Sequence, residues 1–137
     1  MKDKMSLIQS WIEKAKKDLK TAERELKYED PVIESVCFHS QQAVEKLIKS
    51  LLIFYDLEPD KTHSIGRLIL KLPESEKTFH EKIDEYDSLT DYAVELRYPD
   101  ISEIPTKTEA KYAFKLATEC LTIILERITL QDQSENK

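Results

Sequence analysis

A chain of 137 residues with 40% hydrophobic and 35% charged side chains is long enough for one domain with its own core. One glycine and five prolines are too few for an all-β chain full of turns, whereas abundant Lys, Glu, Leu, Ile and Ala point to helices. A net charge of −6 argues against broad electrostatic binding to nucleic acid, and no apolar run reaches the roughly 18 residues of a membrane span.

The first helix is predicted over residues 6–27, where Ile8, Trp11, Ile12, Ala15, Leu19, Ala22 and Leu26 recur at three- and four-residue steps. Ser6 is its candidate cap. Lys14, Lys16, Lys17, Lys20, Arg24 and Lys27 alternate with Glu13, Asp18, Glu23 and Glu25, the pattern of a solvated helix face. A short turn through Asp30-Pro31 leads into residues 33–55, the longest apolar stretch unbroken by Gly or Pro. Its apolar residues cover more than one stripe. That predicts a central helix with neighbours on two sides, antiparallel to the first.

A loop around Pro59 and the trio Thr62-His63-Ser64 precede a short third helix over 65–71, with Thr62 or Ser64 as cap and Leu72-Pro73 as its end. Phe79, Ile83, Tyr86, Leu89, Ala93 and Leu96 set the stripe of a fourth helix from about 73–76 to 96, which Arg97-Tyr98-Pro99-Asp100 breaks. Thr106 and Glu109 have capping-box spacing and open a fifth helix, buried through Ala110, Ala113, Phe114, Ala117, Leu121, Ile124, Leu125 and Ile128. The expectation is all-α: an antiparallel up-and-down bundle of four long helices plus one short helix over 1–130, with 131–137 a flexible polar tail. Cys37 and Cys120 lie on apolar stripes and read as buried, reduced thiols of a cytoplasmic protein; no secretory leader is indicated.

Common catalytic and cofactor signatures are missing. There is no P-loop, G-x-G-x-x-G, H-E-x-x-H or C-x-x-C, and His39, His63 and His80 lack the spacing of a helical zinc pair. No metal, cofactor or catalytic residue is assigned. Three clusters carry the remaining chemistry. His39-Ser40-Gln41-Gln42 with Glu45 and Lys46 reads as a polar seam or dimer contact, or as a ligand site, and Gln beside an apolar stripe demands a hydrogen-bond partner. Thr62-His63-Ser64 reads first as a capped helix start. Arg97 offers a planar fork for carboxylate or phosphate, or equally a partner for Asp100 and helix-end carbonyls.

In order along the chain, Trp11 with Ala15-x-x-Asp18-Leu19-x-x-Ala22, Phe38-x-x-Gln41-Gln42-Ala43-Val44-Glu45-Lys46-Leu47-x-Lys49, Thr62-His63-Ser64-Ile65 and Arg97-Tyr98-Pro99-Asp100 resemble the HEPN (higher eukaryotes and prokaryotes nucleotide-binding) domain family. The resemblance spans about residues 6–130 and implies an α-helical bundle. Many members are metal-independent ribonucleases with Arg, four to six residues, then His. After Arg97 those His positions hold Ser102, Glu103 and Ile104, and no other arginine serves, so ribonuclease activity is not carried over.

The nearer likeness is to small stand-alone HEPN proteins encoded beside a minimal nucleotidyltransferase, some of them toxin–antitoxin pairs. The helical domain of aminoglycoside nucleotidyltransferases is related in fold. That resemblance implies a non-catalytic homodimer that binds nucleotide or completes its partner's substrate site, with Gln42, Glu45, Lys46, His63 and Arg97 lining the groove and Phe38 and Gln41 at the interface. A divergent ribonuclease using His63 or His39 with Arg97, disfavoured by the acidic charge, and a helical interaction module without a small ligand are the competing readings.

Overall fold

The computed structural model describes residues 3–93 and 104–135, with side chains to residue 129, and every regular element among them is helical. Leu96 and the Arg97-Tyr98-Pro99-Asp100 motif lie outside the described residues. The elements are α1 (Lys4–Leu26), α2 (Ile33–Phe54), α3 (Ile65–Leu70), α4 (Lys77–Glu81), α5 (Ile83–Asp87), a 3-10 turn (Thr90–Ala93) and α6 (Lys107–Glu135).

The helix ends follow local chemistry. Asp3, rather than Ser6, caps α1 by accepting the Ser6 amide at 2.7 Å. Asp30 does not cap α2. The orphan Val32 amide is instead taken by the Glu25 carboxylate at 2.7 Å, which ties the end of α1 to the start of α2. Ser64 caps α3 and Thr62 braces it, as their spacing suggested. The Thr106–Glu109 box closes in both directions, at 3.0 and 3.1 Å. α6 runs to Glu135, so the backbone of 131–135, read from sequence as tail, is helical; no Gly or Pro follows Leu130 to stop it.

α2 is the central element, buried on two sides, with Leu47, Ile48, Leu51 and Leu52 fully enclosed. Ile8, Ile12, Ala15 and Leu19 of α1 meet it on one side, and Leu116, Ala117, Cys120 and Ile124 of α6 on the other. α1 runs antiparallel to it: Trp11 lies by Lys49 and Asp18 by His39. α6 runs parallel, with Ala110 beside Cys37 at one end and Arg127 near Tyr55 at the other. The segment 77–93 climbs back between them, since Glu76 meets Tyr55 and Tyr92 meets Cys37. The topology is therefore up-down-up-down.

The expected fourth helix is not continuous. Its stripe was read correctly, for Phe79, Tyr86, Leu89 and Ala93 are buried, yet the backbone breaks at Lys82 and again after Asp87. Ser88 and Thr90 hydroxyls turn inward to Glu85 O and Asp87 Oδ1, competing with the helical ladder. The bend sets Asp87 and Thr90 over the start of α3, where they accept the Gly66 and Ile65 amides. That explains the single glycine: a Cβ on Gly66 would lie 2.8 Å from the Asp87 carboxyl carbon.

Candidate functional site

Two buried carboxylates organise one side of α2. Asp18 sits on the inward stripe of α1 between Ala15 and Leu19, and Glu45 follows Val44 on α2; both are less than a tenth exposed. A carboxylate taken out of water must be matched by donors, and each has recruited a lysine and a histidine. Asp18 Oδ1 accepts His39 Nδ1 at 2.8 Å, and its other oxygen receives the Lys46 ammonium. Glu45 Oε1 accepts Gln41 Nε2 at 3.0 Å and His63 Nδ1 at 2.9 Å, while Oε2 accepts Lys49 Nζ at 3.0 Å.

The glutamines complete the second set. Gln41 is wholly buried and also reaches the His63 carbonyl at 3.4 Å; its own carbonyl accepts Gln42 Nε2 at 2.7 Å. Burial pushes the Glu45 carboxyl up, but the hydrogen bonds from Gln41, His63 and Lys49 outweigh it and hold the group below its ordinary value. Glu45 is thus an anion at neutral pH, and it fixes His63 with Nδ1–H inward and Nε2 outward. The His63 ring is 61% exposed.

The result is a surface sorted by charge. The carboxylates face inward, whereas His39, Gln42, Lys46 and Lys49 form one half-buried row along α2, joined at the side by His63. From His39 to Lys49 the row spans about 15 Å at the α-helical rise. Trp11 closes one end, with the ammoniums of Lys49 and Lys14 at 5.7 and 5.9 Å from its ring; Phe38 lies edge-on to His39 at 5.3 Å. Such an array presents hydrogen-bond donors to an anion. It contains no group held as a nucleophile, and among the described residues no three His, Cys, Asp or Glu side chains gather as a metal site.

Of the residues singled out from sequence, Gln42, Glu45 and His63 fall into one hydrogen-bonded chain through Gln41. Lys46 stands beside them but pairs with Asp18. Phe38 is half-buried, Gln41 is fully enclosed, and Arg97 is outside the described residues. Lys49 and Trp11 were not chosen, and Asp18, read from sequence as part of the solvated face of the first helix, is buried on its inward side, where an acid has to have a cationic partner. A further centre was not anticipated. Glu76, 1% exposed, receives Arg127 Nε and Nη2 at 2.7 and 2.8 Å, and Tyr55 donates its hydroxyl to the same carboxylate.

Comparison with known proteins places the fold. The model of the HEPN domain family matches residues 8–128. The fold is similar to the crystal structure of TT1696 from Thermus thermophilus, with TM-score 0.74, 29% identity, and coverage of 87% of this chain and 96% of that one. It is also similar to the crystal structure of ST0689, described as an archaeal HEPN homologue, with TM-score 0.70, 27% identity, and coverage of 93% and 99%. Among curated proteins none matches.

Proposed function

This chain belongs to the HEPN domain family, and from that premise we propose that it is a non-catalytic subunit that binds nucleotide phosphates along α2. In this reading it forms a homodimer in the cytoplasm and completes the substrate site of a minimal nucleotidyltransferase, as one half of a toxin–antitoxin-like pair. The observation that carries the proposal is the donor row His39, Gln42, Lys46 and Lys49, with His63, backed by the buried Asp18 and Glu45. Buried carboxylates hold His39, Lys46, Lys49 and His63, and the Gln41 carbonyl holds Gln42, so the surface is ordered before an anion arrives. One feature supports the lack of catalysis: no arginine is followed by histidine at ribonuclease spacing. Both cysteines are buried and free, in keeping with a reducing compartment.

Calorimetric titration with a nucleoside triphosphate tests this reading, with the protein alone and co-expressed with a minimal nucleotidyltransferase. Binding should fall at least about tenfold in Lys46→Met, the loss of one charge-assisted hydrogen bond. No heat in either preparation sinks the nucleotide assignment. Single-stranded RNA in EDTA should survive incubation. One feature favours the alternative of a divergent ribonuclease: His63 is oriented by Glu45 with most of its ring in solvent, as an acid–base histidine would be. RNA cleavage that disappears in His63→Ala would establish that alternative.

A further inference from the structure

The side-chain amide of Gln42 has a fixed polarity, set by the buried chain behind it. Gln41 Nε2 lies 3.0 Å from Glu45 Oε1 and 3.4 Å from the His63 carbonyl. A carbonyl only accepts. So does the Glu45 carboxylate, which, against its burial, the hydrogen bonds from Gln41, His63 and Lys49 keep ionised. The Gln41 amide therefore turns its nitrogen to these two and its oxygen to Gln42. That oxygen needs a donor, so Gln42 gives its own nitrogen, at 2.7 Å, and its carbonyl is left over. A lone surface amide is free to flip; this one is oriented by a carboxylate two links away.

No described residue donates to Gln42 Oε1, and the atom is open to solvent. Gln42 stands three residues after His39 and four before Lys46 on one face of α2, about one turn from each. Lys46 and Lys49 only donate, and the His39 and His63 rings, whose Nδ1 atoms face carboxylates, donate through Nε2 once protonated. Gln42 Oε1 is the acceptor in the row that protonation does not convert. A bare polyphosphate laid along the row sets oxygens against this oxygen and leaves it unpaired beneath the ligand.

We propose that Gln42 is a specificity-determining residue, selecting a ligand that carries a neutral hydrogen-bond donor about one helical turn from its phosphates. In a nucleotide that donor is a ribose hydroxyl or the exocyclic amino group of the base. The assignment rests on phosphate binding along α2 and sharpens it: lysines and histidines hold the charge, and Gln42 tells a nucleotide from a polyphosphate. Gln41 and Glu45 are its positioning residues, since they decide which end of the amide faces the ligand.

The test titrates the full chain with ATP, inorganic triphosphate, 2′-deoxy-ATP, 3′-deoxy-ATP and the purine riboside triphosphate that lacks the amino group. Wild type should prefer ATP to inorganic triphosphate. One of the three analogues should bind about threefold to tenfold more weakly than ATP, the effect of one hydrogen bond, and that analogue identifies the donor. Gln42→Met should abolish the difference. Because Met leaves the buried Gln41 carbonyl without its partner, Gln42→Lys is the second variant: its ammonium can donate to Gln41 while the acceptor is removed. It should bind inorganic triphosphate more tightly than wild type does, yet treat ATP and the weak analogue alike. Equal wild-type affinity for ATP and inorganic triphosphate, or for ATP and all three analogues, would overturn the assignment and leave the phosphate reading in place. Discrimination that survives in either variant would overturn it too. Failure of every triphosphate to bind would overturn both.

Discussion

Glu45 and Glu76 are comparably buried, yet the protein neutralises them by different means. Glu76 has a bidentate guanidinium and a phenol, all fixed in protonation across the biological range. Hydrogen bonding to Glu76 raises Arg127 further, and burial, then the Glu76 hydrogen bond, pushes Tyr55 up to about 12. Glu45 has an amide, an ammonium and an imidazole, and the imidazole is mostly in solvent. The first arrangement joins α2, α6 and the start of the returning segment 77–93, whatever surrounds the protein. The second leaves the His63 ring mostly in solvent, where an anion can reach it. Depth alone does not separate staple from site; the choice of partner does.

Arg127→Met breaks the comparison most severely. It strands the Glu76 carboxylate with one neutral donor and should cost about 3 kcal/mol in denaturant unfolding, reduced from a wholly buried case because Arg127 is itself partly exposed. Lys at that position should recover only part, since one ammonium cannot reproduce two parallel bonds. A loss under about 1 kcal/mol would show that Glu76 protonates or reaches water instead.

Glu45→Gln is the matched experiment at the other centre. The shape is kept while a charge accepting three donors is removed, so about 1–3 kcal/mol should be lost at neutral pH. Because the folded Glu45 value lies below its ordinary 4.5, its contribution is present above 4.5 and lost as pH falls through the folded value. Glu45→Gln should therefore lose less stability than wild type on acidification through that window. Parallel acid curves for the two proteins would mean that Glu45 is not held ionised by its neighbours.

Gly66→Ala acts on the joint between these regions, where the bent 83–93 segment holds the start of α3. The added Cβ must displace Asp87 and with it the bond to the Gly66 amide, a loss of about 1–2 kcal/mol. Removing the acceptor as well, in Gly66→Ala with Asp87→Ala, should be less than additive by thermal unfolding.

What could be read beforehand divides in the same way. Periodicity identified the buried faces of α1 and α2 and even of 77–93, because burial obeys a repeat; on α6 it held for Ala110, Ala113, Ala117, Ile124 and Ile128 but wrongly included Leu125, which is exposed, and passed over the buried Leu116. It missed the breaks at Lys82 and after Asp87; at the second, Thr90 acquires its meaning only through α3, far away in sequence. The α2 half of the candidate site was legible, since polar residues on an apolar helix advertise a need for partners. The identity of those partners was not. Asp18 lies 28 positions from Lys46, and Arg127 lies 51 from Glu76; only tertiary packing pairs them.

The smallest effect is expected at the end of α2 that carries Tyr55. Asp56 adopts φ 61°, a left-handed conformation costly for any side chain, and its amide bonds Ile53 O while the Leu57 amide bonds Leu52 O. This is a helix termination in which glycine is the usual residue. Asp56→Gly should raise stability by about 0.5–1 kcal/mol, less a few tenths for its exposed ion pair with Lys4 at 3.1 Å. Its value lies in locality. The change firms the anchor at Tyr55 and Glu76 without touching the donor row, so the unfolding midpoint should rise while Lys46-dependent nucleotide affinity stays constant. If affinity instead changes with stability, the two ends of α2 are coupled, and the row owes its order to the Glu76 staple as well as to Asp18 and Glu45.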